Sequence, residues 1–334
     1  VLFRSENVLV ITSDHTRPMP SRVTMPLLLK EARNGNPRAH IKILIATGFH
    51  RATTQAELAD RLVDAIVDAE EIIVHDAFDE DAMVSKGTLP SGGELWINKL
   101  VDWADLIVAE GFIEPHFFAG FSGGRKSILP GICSRDTIMY NHNAEFIGHP
   151  CARTGILEDN PLHRDMLYAS RAAGLKFILN VTLDADKRIS GAYAGHPEAA
   201  HLQGCEKIRG HARVAAVKAD IVITSNGGYP LDQNVYQAVK GIDTASRCVK
   251  KGGVIIMFSS CADGHGGEGF YQWFIDAQTP EEVASRISAM PRDRTRPDQW
   301  EAQILARVLN DSKVIMITRH ADPQLIRDMH MIHA

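Results

Sequence analysis

The chain has 334 residues, 45% of them hydrophobic and 23% charged, with a formal net charge of −5 at pH 7. That is ordinary globular composition with length for about two domains, and its slight acidity argues against a nucleic-acid footprint. No apolar run approaches the roughly 18 residues needed to span a bilayer, no signal peptide is legible, and the five cysteines (Cys133, Cys151, Cys205, Cys248, Cys261) are scattered without a C-x-x-C pair. Such a set reads as reduced thiols in a cytoplasm rather than disulfides or a zinc knuckle.

The chain opens on Val1 rather than Met, and a strand-like run begins at Asn7. So early an entry into a sheet reads as a chain lacking its natural N-terminal segment. Asn7–Thr12 is a short buried strand ending in Asp14-His15-Thr16-Arg17-Pro18, where the prolines stop regular structure. Asp14, Thr16 and Arg17 then sit on a loop past a strand end, where open α/β sheets bind ligands. A helix over residues 21–34 leads to a second strand, Ile41–Ala46, ending in Gly48-Phe49-His50-Arg51. Thr53 or Thr54 caps the next helix, expected to run to Ala69. Strands follow at residues 71–75 and 104–109, with a helix expected over 93–101 between them.

The densest signal is His116-Phe-Phe-Ala-Gly-Phe-Ser122-Gly123-Gly124-Arg125-Lys126-Ser-Ile-Leu-Pro-Gly131. Its glycines and proline forbid a long helix and allow close backbone approach to a ligand. Gly123-Gly124 can expose consecutive N–H groups as an anion nest, with Arg125 and Lys126 adding positive charge beside it. It is no nucleotide-hydrolase phosphate loop, which needs Gly directly before its Lys; here Arg125 intervenes. Lys126 is left as a point charge for a phosphate or an amine nucleophile. His116 can trade protons near neutral pH.

His142 falls in an expected helix after Asp136. A strand over 176–183 and a helix over 199–216 lead to a second α/β unit with strands at 219–224, 253–258 and 313–318. Its first strand ends in Ser225-Asn-Gly-Gly-Tyr229-Pro230-Leu-Asp232, and the next helix puts Gln237 and Lys240 three apart on one face. Gly264-His-Gly-Gly-Glu-Gly269 matches G-x-G-x-x-G, but Asp263 and Glu268 would repel a pyrophosphate and several residues separate it from its strand. It reads better as a mobile loop than as a dinucleotide fingerprint. The expected fold class is α/β: two α/β domains with mostly parallel sheets flanked by helices, residues 1–206 and 217–318, a tail over 319–334, and an active site in the cleft between the domains.

Asp14-His-Thr-Arg17-Pro, Gly48-Phe-His50-Arg51, the glycine stretch, Asn141-His142, Gln237-x-x-Lys240 and Trp300 occur in order over nearly the whole chain. Together they resemble the nickel-pincer-nucleotide lactate racemase family. The resemblance implies a cofactor that is a pyridinium mononucleotide with two sulfur-bearing arms, tethered covalently to Lys126, with His142 ligating the nickel. It assigns His50 and His116 as the two acid/base histidines and Arg17, Gln237 and Lys240 as substrate contacts. Asp14 and Trp300 line the site, the cofactor phosphate rests near Thr16 and the backbone of Ser122, Gly123, Gly124 and Arg125, and Phe117, Phe118 and Tyr229 shape the side-chain pocket.

The implied activity is racemisation or epimerisation of a small 2-hydroxy acid. Hydride removal to the electron-poor centre, with histidine taking the hydroxyl proton, gives a planar 2-keto acid; hydride return to the other face inverts the carbon. Cofactor-synthesis enzymes are the implied partners, and the expected location is the cytoplasm. Two other readings fit single motifs: a zinc hydrolase using His50, His116, His142 and Asp14, and a nicotinamide-dependent hydroxy-acid dehydrogenase using the Gly264 loop.

Overall fold

The structure, a computed structural model, describes residues 5–229 and 231–334; Val1 and Pro230, named above, lie outside them. The chain divides into two units. One comprises Val1–Asn141 and Cys151–Arg213, the other His142–Pro150 and Val214–Ala334.

The first unit is built on strands β1 (Asn7–Ser13), β2 (His40–Ala46), β3 (Glu71–Val74), β4 (Met83–Thr88), β5 (Glu94–Asn98), β6 (Leu106–Phe112), β7 (Pro115–His116), β8 (Gly120–Phe121), β9 (Leu175–Leu183) and β10 (Ile189–Gly195). Six of them form one sheet in the order β10-β9-β6-β1-β2-β3. All its pairings are parallel except β9 with β10. The central strands read as continuous apolar runs because a parallel sheet is covered on both faces. Every residue of β6 is buried, as are the middle five of β1. Val8, Val10, Ile43, Ile45 and Val108 pack with Met25, Leu28 and Leu29 of the helix Ser21–Gly35 into one core.

A carboxyl is buried inside this sheet. Glu110 of β6 is wholly buried and accepts from the Thr12 hydroxyl at 2.7 Å, from the Thr24 hydroxyl at 2.6 Å and from Ser21. A carboxyl taken out of water needs such partners, which accounts for three hydroxyl residues on otherwise apolar faces.

The order β6-β1-β2 matters most for chemistry. From β1 the chain builds outward through β2 and β3, then returns to place β6 on the other flank of β1. Crevices at such reversals, beyond the carboxyl ends of the strands, are the usual ligand sites of open α/β sheets. Loops carrying Asp14, His50 and His116 follow β1, β2 and β6. They are neighbours in the sheet although β3 intervenes in sequence.

Three local expectations are corrected. Residues 93–101 are not a helix: β5 pairs antiparallel with β4, and only the short Leu100–Trp103 turn is helical. The two-residue period was there to read, with Leu95 and Ile97 inward and Glu94 and Trp96 outward. The helix expected to reach Ala69 breaks into Gln55–Arg61 and Asp64–Ala69, while Thr54 caps its start in a reciprocal box with Glu57. His142 is not helical; it lies at the turn between helices Arg135–Asn141 and Ala144–Gly148. β10 had no counterpart in the sequence reading.

The second unit carries a parallel four-stranded sheet, β11 (Ala219–Ser225), β12 (Val249–Phe258), β13 (Lys313–Ile317) and β14 (Ile332–His333), in that order. Helices Val235–Ser246 and Gln299–Asp311 pack on it. Residues read as a tail supply the helix Pro323–Asp328 and β14. Among the described residues no helix is long and apolar enough to cross a membrane.

The core makes a quantitative demand. Ile43, fully buried in β2, should cost about 3 kcal/mol when changed to Ala, because lost transfer energy and a residual cavity add. A shift of the urea midpoint for the first unit's transition, at constant slope, checks this.

Candidate active site

Just past β1 the backbone turns so that Asp14 points inward, 1% exposed. Its Oδ1 accepts from the Thr16 hydroxyl at 2.6 Å and from the Thr16 N–H at 3.2 Å, and its Oδ2 lies 2.7 Å from His50 Nδ1. Burial raises the Asp14 carboxyl, but the charge and hydrogen bond of His50, the charge of Arg17 and the Thr16 hydroxyl outweigh it. The net result lies well below the usual carboxylate range. A carboxylate so held only accepts, so Nδ1 of His50 carries a proton and Nε2 is the nitrogen available to a ligand. Arg17 donates to the Thr16 hydroxyl at 2.8 Å. Arg61, which the sequence reading passed over, ties this loop down through Ser13 and Arg17 carbonyls at 3.0 and 2.7 Å. Only the fold brings it there; nothing at residue 61 marks it.

The next cluster follows β6. His116, on β7, forms a three-ring cluster with Phe117 and Phe118, whose centroids are 5.0 and 4.6 Å from its own and 4.7 Å from each other. Its Nδ1 accepts from the Ala119 N–H at 3.3 Å, and its Nε2 lies 3.3 Å from Nζ of Lys126. The amine also sits 5.6 Å from the Phe118 ring centroid. Lys126 projects from a single 3-10 turn, Gly124–Ser127. The Gly48 N–H bonds the Gly131 carbonyl at 2.9 Å, so the far end of the glycine stretch is pinned to the loop that carries His50.

The rest of the glycine stretch faces inward. Ser122 is buried; its hydroxyl donates to the Phe112 carbonyl and accepts from the Glu114 N–H, each at 2.9 Å. The Gly124 N–H donates to Oδ1 of Asn180 on β9 at 2.8 Å, and the Lys126 N–H to the Gly123 carbonyl at 3.2 Å. Consecutive exposed N–H groups were expected of Gly123-Gly124; that of Gly124 is used inside the fold instead. Both residues have positive φ, and a Cβ would stand 2.7 Å from Asn180 at Gly123 and 2.7 Å from the His201 ring at Gly124. The glycines are thus required by close approach to β9 and to the helix Pro197–Ala212. The Arg125 guanidinium is buried and bonded to backbone carbonyls, not set beside a surface nest.

In the second unit Gln237 and Lys240 meet as their spacing implied, Nζ donating to Oε1 at 2.6 Å. Trp300 is buried and donates from Nε1 to the Tyr236 hydroxyl at 3.0 Å. The His142 ring meets Trp300 edge-on with centroids 5.0 Å apart. Burial pushes the Glu301 carboxyl well above the usual range against the pull of Lys240, and burial with Glu301 and Asp298 raises the Tyr236 phenol. Tyr229 is exposed on the loop after β11. The Gly264 loop caps a helix: the carbonyls of Gly264 and His265 accept from Val235 and Tyr236 at 3.0 and 3.1 Å, and a Cβ on Gly266 would strike Asn234. Among the described residues no three His, Cys, Asp or Glu side chains converge as a metal-holding group.

Residues 1–155 match the family described as the lactate racemase N-terminal domain, and residues 214–334 the lactate racemase C-terminal domain. The chain is 58% identical to the lactate racemase of Thermoanaerobacterium thermosaccharolyticum over 329 residues, 98% of this chain and 77% of that one. It is 53% identical to the lactate racemase of Lactiplantibacillus plantarum over 325 residues, 97% of this chain and 77% of that one. The structure of the Thermoanaerobacterium lactate racemase apoprotein superposes with a TM-score of 0.97, covering 99% of this chain and 79% of that one. A crystal structure from Thermotoga maritima, 19% identical with a TM-score of 0.72, shares the fold.

The Asp14–His50 contact sets a pH dependence. A carboxylate with a depressed folded pKa contributes stability that is complete above its unfolded value, near 4 on the usual scale, and is lost as pH falls toward the folded one. Asp14→Asn should therefore lower the melting temperature by several degrees at pH 7 and by less at pH 4. Melting curves of both proteins at the two pH values decide it, and an equal gap at both refutes the coupling.

Proposed function

The chain belongs to the lactate racemase family, and from that premise we propose that it interconverts the stereoisomers of lactate with a nickel pincer nucleotide tethered to Lys126. The observation that carries this reading is the contact of the Lys126 amine with the His116 imidazole at 3.3 Å, past β6, the strand that pairs with β1, beyond whose end Asp14 bonds His50. Tethering requires a reactive amine, and the Lys126 amine stands beside the His116 ring and 5.6 Å from the Phe118 ring centroid.

The donor set fits such a group. No three ligating side chains gather among the described residues, so a metal depending wholly on the protein for ligands finds none of the usual sets. A nickel ion arriving with soft sulfur donors needs little beyond one imidazole, and His142, steadied by the Trp300 ring, supplies one. The same fact weakens the zinc-hydrolase reading. The helix-capping role of the Gly264 loop weakens the dehydrogenase reading.

When bound, the cofactor supplies an electron-poor centre that takes the hydrogen from C2 of the substrate and returns it. The protein does the remaining work. Arg17, anchored through Thr16, presents guanidinium N–H groups that suit a carboxylate bidentately. Lys240, held by Gln237, adds a point charge. His50, with Nδ1–H fixed on Asp14, takes the substrate hydroxyl proton at Nε2 for one stereoisomer; His116 serves the other. Phe117, Phe118 and Tyr229 supply apolar surface for the substrate side chain. The cofactor phosphate would be held near Thr16 rather than by a backbone nest at Ser122–Arg125, whose Ser122 and Gly124 N–H groups are bonded within the fold; cofactor-synthesis enzymes of a cytoplasmic pathway load the protein.

Two experiments test the assignment. Intact-mass measurement of protein co-produced with cofactor-synthesis enzymes should show an adduct that disappears in Lys126→Ala. In His142→Ala the organic adduct should persist while nickel, measured by plasma mass spectrometry, is lost. Stoichiometric nickel in that variant removes His142 as ligand. Separately, His50→Ala and His116→Ala should each slow inversion of L- and D-lactate by about a thousandfold, read by chiral chromatography; near-full activity in either one refutes the two-base scheme.

A further inference from the structure

Arg125 is 2% exposed, and among the described residues its hydrogen bonds go to carbonyls and histidines, with no carboxylate paired to it. Burying a guanidinium without a counter-charge is costly unless each donor is placed. Here the donors go to the backbone that separates His116 from Lys126. One terminal nitrogen donates to the Phe121 carbonyl at 2.7 Å and to the Gly123 carbonyl at 3.3 Å; the other donates to the Ala119 carbonyl at 2.7 Å. Nε donates to His163 Nδ1 at 3.0 Å.

Ala119 joins the two ends of this arrangement. Its carbonyl, in the peptide to Gly120, accepts from Arg125, and its N–H, in the peptide from Phe118, donates to Nδ1 of His116. Arg125 is also the chain neighbour of Lys126. A single side chain thus anchors the residue whose N–H orients one ring and the turn that projects one amine.

The shell behind the guanidinium completes the lock. His201 Nε2–H donates to the Ser122 carbonyl at 2.8 Å and lies 3.2 Å from the guanidinium. Burial and the Arg125 charge hold both His163 and His201 down to about 3. Both rings are therefore neutral at physiological pH, and His163 is able to accept. A cavity of about 30 Å³ lies beside these groups, lined by Arg125, His163, His201, Ser170, Leu167 and Glu198 among others.

We propose that Arg125 is a positioning residue: its side chain, held by His163 and by the Ala119, Phe121 and Gly123 carbonyls, keeps His116 and Lys126 at hydrogen-bond distance from each other. Its purpose rests on the racemase reading. The measurements below need neither cofactor nor substrate, so they can fail while that reading stands.

The experiment uses the full chain without cofactor. Competitive labelling with acetic anhydride reports the reactivity of Lys126, and nitrogen NMR of labelled histidine reports the His116 titration. Charged hydrogen bonds of this kind are strong enough that their loss in Arg125→Ala should change the Lys126 labelling rate by about tenfold and shift the His116 titration. Circular dichroism should show the secondary structure kept. Guanidinium ion, small enough for the cavity left by truncation, should restore both values toward those of the parent, whereas sodium chloride at equal concentration should not.

A folded Arg125→Ala protein with unchanged labelling and an unchanged His116 titration overturns the proposal. So does an altered protein that recovers equally in sodium chloride. Should Arg125→Ala not fold, His163→Leu removes one acceptor and leaves the carbonyl contacts. It is expected to shift both readouts in the same sense by a smaller factor, and no shift there overturns the proposal equally.

Discussion

An ionisable group withdrawn from water has to be answered by its immediate neighbours, and in this protein that requirement organises the strand ends. Asp14 is met by Thr16 and His50, Glu110 by three hydroxyls, and Arg125 by a run of backbone carbonyls. Each set consumes hydrogen-bonding capacity that a surface loop would spend on water. The loops past β1, β2 and β6 are tied to the fold by further bonds, from Arg61 to the Ser13 and Arg17 carbonyls and from the Gly48 N–H to the Gly131 carbonyl, as a site positioning reactive groups needs.

The two units divide the chemistry by kind. The first presents two histidines, His50 and His116, and the Lys126 amine on loops past the carboxyl ends of parallel strands. The second presents a ring pair, Trp300 with His142, and a charged pair, Lys240 with Gln237. Glu301 is buried in the same unit; burial pushes its carboxyl well above the usual range while the charge of Lys240 pulls it down. Trp300 has a structural task as well as a surface one, since its indole N–H satisfies the buried Tyr236 hydroxyl.

The glycine stretch shows how a motif carries two loads. Its glycines look like a phosphate cradle in the sequence. In the fold, Gly123 and Gly124 are demanded by contact with Asn180 and the His201 ring, and the Gly124 N–H is already bonded. What the motif delivers is a short turn with Lys126 outward and Arg125 inward. Adjacent residues on a 3-10 turn point in different directions, so one cation can serve chemistry while its neighbour serves architecture.

By itself the sequence determined the class of fold, the strands at the centre of both sheets, and the family to which the chain belongs. Buried parallel strands leave continuous apolar runs, and a long ordered motif leaves little freedom of assignment. It also determined the Gln237–Lys240 pair, because three residues on a helix is a fixed distance. Tertiary structure alone decided that β6 lies against β1, that Arg61 and Arg125 hold the site loops, and that Asp14 orients His50. It also turned residues 93–101 into a hairpin strand. These depend on which distant segments meet, and hydrogen bonds between residues far apart in sequence leave no periodicity to read. A buried arginine and a solvated one are the same letter; only the surrounding carbonyls distinguish them.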